Sequence, residues 1–214
     1  MTGEGSSPAG PPGYRPARME AFSDGVFAIA VTLLVLEISV PADSADDLLG
    51  ALVDQWPSYL GYLVSFSTIG AVWFVHTVIT EYLHRATSVL IRLNLLLLLL
   101  VSFLPFPTRL LAEYVGEIEA GRISATVYGV NLLLISILLS VLWRYAVREH
   151  LVRPDTTDAD LAMLTRRLTP GLAGYLLMIA LGLFLPVAAV LGYLLIALYI
   201  VVPFAAIRRP ASPA

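Results

Sequence analysis

An all-α membrane protein is the fold class this sequence predicts, and three observations predict it. Of its 214 residues, 58% are hydrophobic and only 14% are charged, against about 25% charged in a soluble domain. The apolar residues gather into runs long enough for helical spans, and the charges sit in the stretches between them. Basic residues are shared unevenly among those stretches, as the positive-inside rule demands of a polytopic chain. The expected architecture has six transmembrane helices, at about 17-40, 56-82, 88-114, 124-147, 169-185 and 188-207. Both termini are expected to be cytoplasmic.

Composition also narrows the function. There is no cysteine, which excludes disulfides, thiolate catalysis and cysteine-based metal sites. The net charge of −3 is small. No basic stripe interleaved with aromatics appears, so nucleic acid is not an expected partner. His76, Glu81 and His84 lack the HExxH spacing, and no Walker loop or GxSxG is present. Nothing resembles a catalytic constellation, so neither an enzyme nor a cofactor is expected.

Residues 1-16 are rich in Gly, Pro and Ser. They cannot bury enough apolar surface to order themselves, and they are expected to form a disordered cytoplasmic tail. The first helix follows, ended by Pro41. Its centre, Gly25 to Leu36, carries no charge and is flanked by Asp24 and Glu37. At about 1.5 Å per residue that centre covers roughly 18 Å, while the hydrocarbon core is roughly 30 Å thick. At least one acid therefore lies at or inside the membrane boundary, where it needs protein, a partner or water. Phe22, Gly25, Ile29, Thr32 and Leu36 fall on one stripe of this helix, with Leu33 at its edge. The stripe suits packing against neighbouring helices or the lining of a pore, and periodicity alone does not choose.

An acidic loop comes next, with Asp43, Asp46, Asp47 and Asp54. Residues 47-55 are expected to form a short interfacial helix capped by Ser44 or Asp46. The second span holds Ser65, Ser67, Thr68, Trp73, His76 and Thr77, polar for a lipid-exposed helix. His76 is expected to bond Asp24 or Ser23; the alternative is a histidine satisfied by a backbone carbonyl. In the third span Arg92 can snorkel to the interface, while Asn94 lies deeper and needs a partner in the Ser23–Asp24 layer. Pro105 and Pro107 must bend or unwind its outer end, because neither has an N–H. The fourth span carries Asn131. The charged linker 148-167 leads through a short amphipathic helix, 158-168, into the fifth span. A tight turn at 186-189 starts the sixth, and 209-214 form a polar tail.

Orientation follows from the arginines. With the N-terminus inside, Arg15, Arg18, Arg85, Arg92, Arg144, Arg148, Arg153, Arg166, Arg167, Arg208 and Arg209 face the cytoplasm, and only Arg109 and Arg122 lie outside.

Arg18-Met19-Glu20-Ala21-Phe22-Ser23-Asp24 resembles the RxxxFSD signature that opens the first helix of the transmembrane protein 175 family of potassium channels. Trp73-Phe74-Val75-His76, and the stretches Asn94-Leu95 and Phe103 to Thr108, resemble the second and third helices of its prokaryotic members. The resemblance runs from Arg18 to about Arg148. It implies a homotetramer in the plasma membrane, with the first helix of each subunit lining a central pore and potassium as the permeant ion. It further implies an apolar constriction at Ile29, with Leu33 and Leu36 at the following turns and Thr32 offering hydroxyl oxygens. Arg18, Phe22, Ser23 and Asp24 become architecture near the cytoplasmic mouth, supported by Trp73, His76 and Asn94. No TVGYG carbonyl filter is present. Two further readings stand beside the channel. One is a proton-coupled secondary transporter using Asp24, Glu37 and His76 as a relay. The other is a membrane scaffold that transports nothing.

Overall fold

The computed structural model describes residues 14-41 and 44-204, apart from the side chains of 167-170 and 202-204. The expected tail over 1-13, the last turn of the sixth helix and the tail 209-214 lie outside the described residues. Eight α-helices follow in order: α1 Pro16–Leu33, α2 Leu48–Asp54, α3 Trp56–Glu81, α4 Ser88–Phe103, α5 Pro105–Tyr114, α6 Ile118–Arg148, α7 Asp158–Gly182 and α8 Pro186–Phe204. Among the described residues, four segments are long and apolar enough to cross a membrane: Pro16–Glu37, Trp56–Glu81, Ser88–Tyr114 and Ile118–Arg148. The molecule is thus a multi-pass helical membrane protein. α8 is apolar but shorter, and α7 carries Asp158, Asp160, Arg166 and Arg167 in its first ten residues.

α1 begins at Pro16, whose missing N–H costs nothing in the first helical turn. Its α-helical hydrogen bonding ends at Leu33, earlier than the expected 40. The chain tightens into a 3-10 turn, Leu34–Glu37, and Ile38 is already extended. Pro41 restricts Val40, but the chain has left the helical region before it reaches that residue. Asp47 caps α2, accepting from the Gly50 backbone N–H at 3.0 Å. Neither Ser44 nor Asp46 does, because both lie in or before the 3-10 turn Ser44–Asp47 that leads into the helix.

The third span breaks where the prolines demand it. Pro105 has no N–H for the Val101 carbonyl, which accepts from Leu104 instead at 3.1 Å. Pro105 then opens α5. α6 starts at Ile118, one and a half turns before the expected Ser124. α7 is one helix where a short helix and a separate span were expected. Thr157 and Asp160 form a reciprocal capping box at its start, and no glycine or proline interrupts the next eleven residues. The following turn falls at 183-185, before Pro186 rather than after it.

α1 packs against α3 and α4; α3 also packs against α5 and α8, and α6 against α4, α5, α7 and α8. One core runs through the bundle, with Leu34, Ile69, Leu97, Tyr128, Leu132 and Trp143 almost fully buried. The end of the bundle that holds the start of α1 is stapled by two short backbone pairings, Tyr14 with Ala86 and Leu83 with Val152. The first closes with mutual bonds of 2.8 and 2.9 Å. In the linker beyond, Arg153 grips Asp155 at 2.8 Å and holds its carboxyl below the usual carboxylate range. Both groups are exposed, so the pair adds little stability.

Candidate functional site

α1 has two faces of opposite character. Met19, Ser23, Phe27, Ala30 and Leu34 form a stripe at helical spacing, and every one is buried against the bundle. Phe22, Ile29, Leu33 and Leu36 point away from it. Ile29 is 60% exposed and Leu36 70%. A side chain at Gly25 would meet nothing within 4 Å. Among the described residues, then, nothing packs on the stripe that contains Ile29. Thr32 lies on the same open side, and its hydroxyl donates to the Ile29 carbonyl at 2.9 Å. With that hydrogen committed to the helix, the oxygen lone pairs are what Thr32 presents outward.

The buried stripe carries a hydrogen-bonded chain. Ser23 Oγ donates to the Met19 carbonyl at 2.8 Å. Having spent its hydrogen, it accepts from Asn94 Nδ2 at 2.9 Å. Asn94 Oδ1 therefore faces His76 Nε2 at 2.8 Å, and an oxygen that can only accept requires the proton on Nε2. His76 Nδ1 is buried without a hydrogen-bond partner. The Phe27 ring lies 5.5 Å from the His76 ring. This chain joins α3, α4 and α1 at one level.

Asp24 sits beside the chain but not in it. Its Oδ1 accepts from Trp73 Nε1 at 2.8 Å. The expected direct bond from His76 to Asp24 or Ser23 is thus corrected: Asn94 stands between His76 and Ser23, and Trp73 takes Asp24. The His76 ring meets α1 at the apolar Phe27 ring, so its Nε2 turns to α4, where Asn94 carries the bond on to Ser23. Asn94 does find its partner in the Ser23 layer, as expected. The level of the His76–Asn94 pair was readable in hindsight. His76 lies five residues before the end of α3 and Asn94 six residues after the start of α4, so both stand at equal depth from the loop between them. Arg18 is exposed and forms no ion pair among the described residues.

A second buried network holds the outer half. Ser65 Oγ lies 2.7 Å from Thr108 Oγ1 and 3.0 Å from the Tyr128 hydroxyl. Thr108 donates to the Leu104 carbonyl at 2.8 Å, which orders the chain Tyr128 to Ser65 to Thr108. The hydroxyls pin the broken third span, through α5, onto α3 and α6. Composition flagged Ser65 only as polar. Its pairing depends on helix register, which a single sequence does not display.

Outside this network, Glu37, Asp54, Arg109 and Glu113 line an open cavity of about 560 Å³ at the outer end of α1. No cluster among the described residues has the ligand set of a metal site.

A bundle of long apolar helices, with the first hydrogen-bonded to its neighbours on one side and exposed along the other, defines a polytopic helical membrane protein. Residues 18–105 match the family model described as endosomal/lysosomal potassium channel TMEM175. A protein named as a potassium channel from Streptomyces collinus is 43% identical over 185 residues, 85% of this chain and 89% of its own length. The chain belongs to the TMEM175 family. The crystal structure of a lysosomal potassium-selective channel TMEM175 homologue from Chamaesiphon minutus superposes with a TM-score of 0.81 at 38% identity, covering 89% of this chain and 98% of its own. The Gallus gallus protein named endosomal/lysosomal proton channel TMEM175 is 40% identical over 125 residues, and the match spans a quarter of its length.

Proposed function

We propose that four copies of this chain meet around an axis in the plasma membrane and conduct potassium between their α1 helices. The observation that carries this reading is the open stripe of α1. An apolar stripe on the first helix, uncovered by its own protomer, needs other copies of itself or lipid to cover it. The membrane acids favour copies over lipid, since Asp24 stands exposed on the same helix. Names borne by relatives at 38 and 43% identity over most of both chains support potassium as the ion.

On this reading six spans thread each subunit, with α7 and α8 as the fifth and sixth and both termini cytoplasmic. Ile29 forms the neck, a narrow apolar ring that resists wetting. Leu33 and Leu36 lie at the following turns. Because α1 gives way to a 3-10 turn after Leu33, Leu36 belongs to a wider outer mouth. Thr32 sets hydroxyl oxygens one turn beyond the neck, for a partly dehydrated ion. A neck without fixed charge selects modestly for potassium over sodium. Arg18, Phe22, Ser23 and Asp24, with Trp73, His76 and Asn94, hold the inner half of α1 in place.

The proton-relay alternative finds no support in the geometry. Asp24 and His76 belong to different hydrogen-bonded groups, and the His76 chain ends on a backbone carbonyl, which passes no proton onward.

The test is the bi-ionic reversal potential of the purified protein in planar bilayers. With potassium on one side and sodium on the other, it is expected to move toward the potassium equilibrium potential. Ile29→Asn is expected to collapse that shift. Flux that requires a pH gradient, or a reversal potential indifferent to Ile29, overturns the proposal.

A further inference from the structure

α2 is built the wrong way round for a helix in water. At about 100° per residue, Leu48, Leu49, Leu52 and Val53 share an arc of about 140°. All four are exposed, Leu49 by 75%. Gly50 and Ala51, on the other side, are half-buried. Asp54 and the adjacent Gln55 line the polar cavity with Glu37 and Arg109. The apolar side therefore faces away from the protein, and Asp54 turns toward an open, charge-lined recess. A helix in water turns its apolar side inward.

The surroundings say what covers the apolar arc. α2 leads directly into the outer end of a membrane-spanning helix, α3, which starts at Trp56. Trp56 and Tyr59, one turn apart at that end, are both exposed. Tryptophan and tyrosine are enriched where headgroups meet acyl chains. Charge argues against another copy of the chain as the occupant. Between Arg18 and Arg85 there is no lysine or arginine, while Glu37, Asp43, Asp46, Asp47 and Asp54 crowd this segment. Copies brought together here would repel one another; electroneutral acyl chains would not.

We infer that α2 lies in the outer leaflet of the bilayer, with Leu48, Leu49, Leu52 and Val53 seated among the acyl chains below the headgroups. The helix is the kind that lies on a membrane without crossing it. It follows the 3-10 turn at the outer end of α1, so it ties that end to the lipid surface. This rests on the membrane assignment and on the proposed orientation with the N-terminus inside, and it holds whichever ion the protein carries.

The chain has no cysteine, so one introduced thiol reports from one place. Leu49→Cys, Val53→Cys and Asp54→Cys are each spin-labelled in the full-length protein in phosphatidylcholine vesicles. Collision with oxygen, which concentrates in lipid, is compared with collision with a water-soluble nickel chelate. Oxygen is expected to dominate at positions 49 and 53, and the order to reverse at 54. Dominance of the nickel reagent at 49 and 53 would place the arc in water and overturn the inference. Low accessibility to both reagents there would place it against another copy, and would overturn it equally. Should one of the two apolar-arc variants fail to fold, the other reads the same side.

Discussion

The two sides of α1 and the 3-10 turn that continues it share one backbone, yet they answer to different demands. The side with Met19, Ser23, Phe27, Ala30 and Leu34 is closed, hydrogen-bonded and matched to α3 and α4. The side with Phe22, Ile29, Leu33 and Leu36 is bare. The difference teaches that the helix is fastened from behind, so that nothing in the protomer need touch its front. Substitutions on the back should act on stability, and substitutions on the front on what passes.

The largest effect is expected from Phe27→Ala. Phe27 is 3% exposed and packs on His76, and removing a buried aromatic side chain costs about 3–5 kcal/mol. Denaturant titration of the purified protein in mild detergent should show that loss, with ion preference retained in whatever folds. Full stability with altered ion preference would break the separation between the two sides.

A smaller loss is expected from Asn94→Ala. It leaves the His76 Nε2–H without an acceptor and deprives Ser23 of its donor. In a membrane interior such a change costs about 1–2 kcal/mol. The same titration measures it. Double substitution with Ser23→Ala should add little, because the two residues serve one chain of bonds. Full additivity would show that the chain does not act as a unit.

How much of this was legible in the sequence depends on distance along the chain. The stripe was legible because helical period is local: residues 22 to 36 declare their shared side without reference to other helices, although that nothing in the bundle covers it did not follow from the period. The break before Pro105 was legible for the same reason, since a missing N–H acts where it stands. Asn94 was legible as a group in need of a partner, because a buried amide in a span must be satisfied. That Trp73 takes Asp24, and that Asn94 mediates for His76, depends on how three helices are rotated and slid against one another. No local pattern states that. The early end of α1 was missed because apolar residues continue past it, and the early start of α6 because Glu119, Gly121 and Arg122 read as loop.

The account stands most directly on whether Ile29 faces the ion path. Ile29→Cys in this cysteine-free chain places a single thiol there, and a positively charged thiol reagent can be applied while potassium current is recorded in a bilayer. The current is expected to fall irreversibly in Ile29→Cys, and to be unaffected in the parent chain and in Phe27→Cys, whose thiol lies on the closed side. An Ile29→Cys current that persists unchanged through a reagent shown to react with the thiol would contradict the account.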